Sequence, residues 1–323
     1  MTMAKNNITS VISVDSSCNT VLLCRLVDDE FGVMDEIKCD VKAYNKGFFD
    51  SFGQIVKLFR SRFAELDFQK TGIILPDELF FYDTVSIPST NRRAHGRSLE
   101  LAIGSLYKNH DELDIHTYSL SQNKQYTTYG LVGIRRDITE ALRKACSDNG
   151  IELDGVSSRA VCLANGMLAE RPRLKNEAFL LLDVEETFST FVFVLKGQVV
   201  GYYDLPLGCS KLDCNILENE RLNFECSYAE SASVYNSFRV LVKWALELIE
   251  NNRVLISDAS ISKVYVNIPE QYKYLLERVN AESRENKVLF CDAADGMPDK
   301  AAAKSMGLLG GFYIGRFSKT DVF

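Results

Sequence analysis

One pattern occurs twice in this chain and limits what it can fold into: an apolar strand that stops at an aspartate, a short polar turn, then a second apolar strand. The first copy is "VISVDSSCNTVLL", with Asp15 ending its strand, and the second is "LLLDVEETFST", with Asp183 in the same place. A single aspartate there is ordinarily turn chemistry, its carboxylate accepting a backbone N–H two residues on. Two, at corresponding places in two copies of one plan, leave two readings open, turn chemistry and a phosphate clamp. In such a clamp the N–H groups of both turns hold phosphate, and each aspartate holds the water shell of a Mg²⁺ ion. Ser16, Ser17 and Thr20 of the first turn, and Thr187, Ser189 and Thr190 of the second, would add hydroxyl donors.

The rest of each copy repeats as well. "ITSVISV", "TVLLCRLV" and "VMDEIKCDV" read as a three-stranded meander. Phe49, Phe52, Val56, Phe59, Phe63 and Leu66 then recur at three and four residues, the apolar stripe of a helix, and "TGIILP" follows as a short buried strand. Residues 177–206 restart the plan with "EAFLLLDV", "STFVFVLKG" and "QVVGYYDLP". A helix is expected over about 229–252 on Val234, Phe238, Leu241, Val242, Ala245, Leu246 and Ile249. "KVYVNI", a helix opened by Pro269, "KVLFCDA" and a C-terminal helix complete it. Between the copies, "RSLELAIGSLY", "ELDIHTYSL", "QYTTYGLVGI" and "DITEALRKACSDNG" read as a small inserted α+β module. Its last helix would be capped by Asp137 with Glu140 and stopped by Gly150.

The order of elements is that of an α/β protein of two lobes, and 323 residues exceed the roughly 250 to 300 at which one core stops growing. The first lobe is expected over 1–83, completed by 158–176 and the C-terminal helix 304–323, with the insert at 84–157 and the second lobe at 177–303.

Charge and composition remove several functions. A net charge of -7 with pI near 5.2 opposes nucleic-acid or anionic-membrane binding, both of which need a basic surface. No run of about 18 apolar residues suggests a spanning helix, and "MTMAKNNITS" lacks a signal peptide's apolar stretch, so a cytoplasmic protein without direct membrane insertion is expected. Nine cysteines without a CxxC, among them Cys24, Cys39, Cys146, Cys162 and Cys291 inside apolar segments, behave as small buried hydrophobes. His95, His110 and His116 lack ligand spacing, so no protein-ligated metal is expected beyond Asp15 and Asp183 with a Mg-nucleotide. Nucleophile-elbow, P-loop and zinc-protease motifs do not occur, and the glycines of "GLLGGFYIG" suit close helix packing.

The phrases "DSSCNTVLLCRL", "GLVGIRRDITEALRKACSDNGIELDGVSSRA" and "LLLDVEETFSTFVFVLKGQVVGYYDLPLGCSKL" resemble the PilM family of actin-like type IV pilus assembly proteins, relatives of the division protein FtsA. The resemblance spans nearly the whole chain, in pattern more than in identities. It implies two ribonuclease-H-like lobes with a small subdomain inserted in the first, ATP in the cleft, and a cytoplasmic adaptor. That adaptor would capture the N-terminal cytoplasmic tail of a PilN-like inner-membrane protein and join it to other pilus assembly components, at the inner face of the membrane. By position, Asp15, Ser16, Ser17 and Thr20 match the family's first phosphate turn, Asp183, Thr187 and Thr190 its second, and Gly208 a glycine after the hairpin.

The departures from that family are concentrated in one site. Glu185 and Glu186 stand where glycine would let a phosphate approach the backbone. A carboxylate about 4 Å from a phosphate oxygen costs on the order of 4 kcal/mol at an effective dielectric near 20, about a thousandfold in affinity. Cys18 and Asn19 replace glycine in the first turn, and Asn267, Ile268 and Pro269 replace the paired glycines at the adenosine edge. The expectation is a non-catalytic adaptor, a pseudo-ATPase with a degenerate cleft and no cofactor. The alternative is an active Mg-ATP-binding or polymerising ATPase of the same superfamily. Phe80, Phe81, Tyr82, Tyr126 and Tyr129 are candidates to line a peptide groove beside the insert.

Overall fold

The computed structural model describes residues 8–14, 20–27, 30–38, 46–64, 68, 70–89, 92–185, 187–210, 226–251, 261–282, 288–293 and 311. By contact the chain divides into two compact units, Met1–Lys175 with Gly197–Val200 and Ser305–Phe323, and Asn176–Lys196 with Gly201–Lys304.

The first unit opens with the meander the sequence predicts, β1 (Ser10–Val14), β2 (Thr20–Val27) and β3 (Glu30–Lys38). Helix α1 (Lys46–Arg62) buries Phe52, Val56 and Phe59, and β4 (Thr71–Leu75), buried at every position, pairs parallel with β1. Three-residue 3₁₀ turns apart, the chain then runs through β5 (Phe80–Pro88), α2 (Arg92–Leu106), β6 (Leu113–Gln122), β7 (Tyr126–Arg135), α3 (Arg136–Ser147), β8 (Leu153–Ser158) and α4 (Arg159–Glu170). The larger sheet has the order β3-β2-β1-β4-β8, and β5-β7-β6 form a separate three-stranded sheet. Leu99, Ala102 and Ile103 of α2 pack on Val85, Ile87 and Leu131 of that small sheet.

The inserted module is therefore not 84–157. Its sheet begins at Phe80, in the aromatic run "FFYDTV", because β5 is the antiparallel partner of β7 over its whole length. At the other end β8 pairs parallel with β4 in the larger sheet, and α3 packs on α1, with Asn149 Nδ2 donating to the Gly53 carbonyl at 3.4 Å. Asp137 does not cap α3 either. It lies inside the first turn and accepts from Arg135 Nε at 3.1 Å, which spends the carboxylate outside the helix end. Gly150 does have the positive φ, +67°, expected of a helix stop.

Where the chain leaves the larger sheet and where it returns are joined. Asp77, buried just after β4, accepts the Ala160 N–H at the start of α4 on both carboxylate oxygens, at 2.9 and 3.1 Å. Ser158 caps the same helix by accepting from the Val161 N–H, and shares a hydrogen bond with the Tyr82 hydroxyl of β5. Of the segment where the sequence leads one to expect a C-terminal helix, only Gly311 is described. A Cβ there would stand 2.7 Å from Ile74 Cδ1 and 3.0 Å from Val11 Cγ1, so glycine lets the backbone at this position lie close on β1 and β4.

The second unit carries β9 (Ala178–Val184), β10 (Ser189–Leu195), all but the first three residues of β11 (Gln198–Leu205), α5 (Cys226–Asn251), β12 (Lys263–Asn267), α6 (Tyr274–Glu282) and β13 (Leu289–Asp292). Its sheet order is β11-β10-β9-β12-β13, the arrangement of the first sheet over again. β10 and β11 are joined by Lys196 and Gly197, both at positive φ (51° and 75°), the pair a two-residue hairpin requires. Phe179, Leu180, Leu181 and Leu182 are fully buried, as continuous apolar strands covered on both faces should be. Pro269 precedes a 3₁₀ turn and not the helix proper, which starts at Tyr274. Lys273 Nζ holds that turn to Glu270 at 2.7 Å and to Asp292 at 2.8 Å. At the edge strand β13, the Asn280 side chain accepts from the Phe290 N–H (3.0 Å) and donates to its carbonyl (2.6 Å), closing an edge open to stray pairing.

Candidate functional site

The second turn is described almost completely. β9 and β12 run parallel with Asn267 directly beside Asp183, and β10 runs antiparallel with Thr190 directly opposite Asp183. The three side chains therefore share one face of the sheet. Asp183 is 3% exposed, and a carboxylate that deep needs donors to offset its lost hydration. Asn267 Nδ2 supplies one, 2.6 Å from Asp183 Oδ1.

The hydroxyls of Ser189 and Thr190 point elsewhere. Thr190 Oγ1 donates to Asp204 Oδ1 of β11 at 2.7 Å, and Ser189 Oγ donates to the Leu207 carbonyl at 2.6 Å. The Glu185 N–H donates to the Phe188 carbonyl (2.9 Å), and the Glu185 carbonyl accepts from the Cys209 N–H (2.7 Å). The segment Leu207-Gly208-Cys209 is thereby strapped back on the turn, and Gly208 is buried. Thr187 is exposed, and Glu185 is half-buried.

Of the sequence-predicted residues, Asp183, Ser189, Thr190 and Gly208 are brought together in the second unit. Asp15, Ser16, Ser17 and Glu186 lie outside the described residues, as does the side chain of Thr20, whose backbone opens β2. Two participants escaped the sequence reading. Asp204 stands at the end of a strand, where it was read only as strand; Asn267 was read as a replaced glycine, and only the parallel register shows it beside Asp183. Among the described residues no group of three His, Cys, Asp or Glu side chains could hold a metal ion. No helix among them is long and apolar enough to cross a membrane.

In the insert, β5 and β6 each pair only with β7 among the described strands, so each leaves one edge for an added strand. Tyr126 is 51% exposed, whereas Phe80 is buried at 6%. Phe81, Tyr82 and Tyr129 are half-buried, and the Tyr129 hydroxyl bonds His95 Nε2 at 2.6 Å.

Two five-stranded α/β sheets of one order, with a three-stranded module built into the first unit, make this an actin-like fold. The chain is PilM-like in fold: it aligns with a chain of a PilM–PilN type IV pilus biogenesis complex at TM-score 0.65, over 96% of this chain and 99% of that one, at 12% identity. It also aligns with the Lmo2764 protein of Listeria monocytogenes at TM-score 0.50 and 10% identity, over 94% and 97% of the two chains. A Bacteroides thetaiotaomicron protein with an actin-like ATPase fold and unknown function aligns at TM-score 0.45 and 10% identity, over 95% and 96%. No protein-family model matches the sequence. No curated protein matches it either.

Proposed function

We propose that this chain is a non-catalytic, actin-like adaptor of a type IV pilus or related secretion assembly. It holds the N-terminal cytoplasmic peptide of a PilN-like inner-membrane protein, and so works at the inner face of the membrane through that partner. The likeness to a PilM–PilN complex along almost the full length of both chains carries the adaptor reading. The insert is the place for the peptide: β5 and β6 offer edges, and Tyr126 a side chain on which a peptide can pack.

The second turn supports the absence of catalysis. A phosphate cradle needs free N–H and hydroxyl donors. Here the Glu185 N–H and the Ser189 and Thr190 hydroxyl hydrogens are already donated within the unit, and Asn267 occupies one oxygen of Asp183. Those residues do not fit a bound phosphate, and the nucleotide site is read as vestigial. Titration with Mg-ATP by calorimetry, with Asp183→Ala as control, tests this. The expected result is no heat and an unchanged melting temperature at saturating nucleotide. Heat that disappears in the control would restore the alternative of an ATP-binding protein. The adaptor role is tested separately by fluorescence anisotropy with a labelled PilN-like N-terminal peptide, where Tyr126→Ala should weaken binding.

A further inference from the structure

The inserted sheet has two edges, and the chain treats them differently. In an antiparallel ladder every second residue turns both its N–H and its C=O away from the neighbouring strand. β5 pairs with β7 without a break in register, and the Thr84 N–H is donated outside that ladder, to Asp83 Oδ1 at 2.7 Å. The residues in step with Thr84, namely Phe80, Tyr82, Ser86 and Pro88, therefore face outward as well. The Phe80 N–H is donated to the Asp77 carbonyl, and Pro88 has no N–H to give. Phe80, Thr84 and Pro88 are thus closed to another strand, the usual protection of an edge.

On β6 the outward positions are set by Leu113. Its N–H goes to the His110 carbonyl and its own carbonyl accepts from Arg136 Nη2 at 3.1 Å, so neither joins β7. Ile115, Thr117 and Ser119 are in step with Leu113 and face outward with it, up to the register shift that follows Ser119. Among the described residues, nothing takes the N–H and C=O groups of these three. His116 lies between them, and its buried Nε2 has no hydrogen-bond partner among the described residues either.

An apolar patch accepts many kinds of cover. A row of N–H and C=O groups at every second residue is matched in full only by extended backbone, which fixes the conformation of what binds there. An added antiparallel strand also continues the pattern of the three-stranded sheet. One of its side chains then stands opposite His116, close enough to give the imidazole the partner it lacks. Its neighbours along the strand fall beside Ile115, which packs with α2 on the other face.

We propose that the N-terminal tail of the PilN-like partner binds as an antiparallel strand on β6, along Ile115–Ser119, and not on β5. This rests on the adaptor reading and adds to it the edge that is used. The test is fluorescence anisotropy of the full chain with a labelled peptide of the PilN-like N-terminal tail. Thr117→Pro deletes one outward N–H, and its ring obstructs a neighbouring strand, without taking a bond from the ladder between β6 and β7. It should weaken the peptide about tenfold or more. Ser86→Pro, the same change at an outward position of β5, should leave affinity within about twofold. On the unmodified chain, peptides N-methylated at one residue at a time should lose affinity at every second position only, a readout that needs no variant to fold.

Undiminished binding by Thr117→Pro, a loss with Ser86→Pro instead, or N-methyl losses without the two-residue period would overturn the choice of edge and leave the adaptor reading standing. An unmodified chain that binds no such peptide would overturn both. Sedimentation of the chain alone as a dimer that Thr117→Pro disperses would give the edge to a second copy, and would overturn the proposal as well.

Discussion

The two five-stranded sheets share one strand order but differ in what ties the central strand to its first parallel neighbour. In the first unit the tie is Ser10 beside Thr71, two buried hydroxyls 2.8 Å apart at the N-terminal ends of β1 and β4. In the second it is Asn267 beside Asp183, an amide and a carboxylate 2.6 Å apart at the C-terminal ends of β12 and β9. A neutral pair at the closed end of two strands asks only to be satisfied. A carboxylate 3% exposed also has to recover the hydration of a charge, and it stands at the strand ends where open α/β sheets bind their ligands. Packing has no need of a charge at that place, which suits the proposal that Asp183 is retained from a site whose other groups have been turned inward.

The sheets also differ in their thiols, and this gives the largest expected effect. Cys24 of β2 is fully buried, and burial pushes its thiol up to about 12. At pH 8 its thiolate fraction is then about a thousandfold below that of an ordinary thiol, before access is considered. Cys291, on the edge strand β13, is only half-buried. Maleimide labelling of the native protein, followed cysteine by cysteine in peptide digests, should modify Cys291 while leaving Cys24 untouched until denaturant is added. Equal rates at the two would show that the first sheet opens as readily as the edge of the second.

Much of this architecture was legible in the sequence, because its signals are local. The period-two runs of β1 to β3, the helical stripe of Phe52, Val56 and Phe59, and the apolar block Phe179–Leu182 each announce an element within a dozen residues. What the sequence hid depends on partners far along the chain. β5 passed for an aromatic patch because its strand character comes from pairing with β7, and α3 went to the insert because its packing on α1 leaves no local mark. Asn267 was visible as a missing glycine, but that it donates to Asp183 follows from a parallel register between strands separated by a long helix.

Asn267→Ala sharpens the comparison at the second sheet. It removes a hydrogen bond to a buried charged group, a class worth about 1.5 to 3 kcal/mol, so urea denaturation should show a loss near 2 kcal/mol, about thirtyfold in the folding equilibrium. Adding Asp183→Ala should return part of that loss, since the charge that needed the donor is gone. Additive losses in the double variant would mean that the carboxylate stabilises the unit on its own account, against its reading as a relic.

Ser10→Ala at the first sheet should be the mildest of these changes. The pair it breaks is neutral, and the Thr71 hydroxyl it leaves behind retains a partner, the Phe68 carbonyl at 3.2 Å. No buried group is stranded, so the cost is that of one ordinary hydrogen bond, about 1 kcal/mol, or roughly fivefold in the same equilibrium. Thr71→Val removes the shared partner instead and leaves the Ser10 hydroxyl, 1% exposed, without the bond it makes to Thr71, so its loss should exceed that of Ser10→Ala. If the two variants lose equally, the Phe68 carbonyl is no substitute for Ser10. If either one matches Asn267→Ala, the hydroxyl pair ties its sheet as strongly as the charged pair, and the contrast between the two sheets lies only in where the pairs sit.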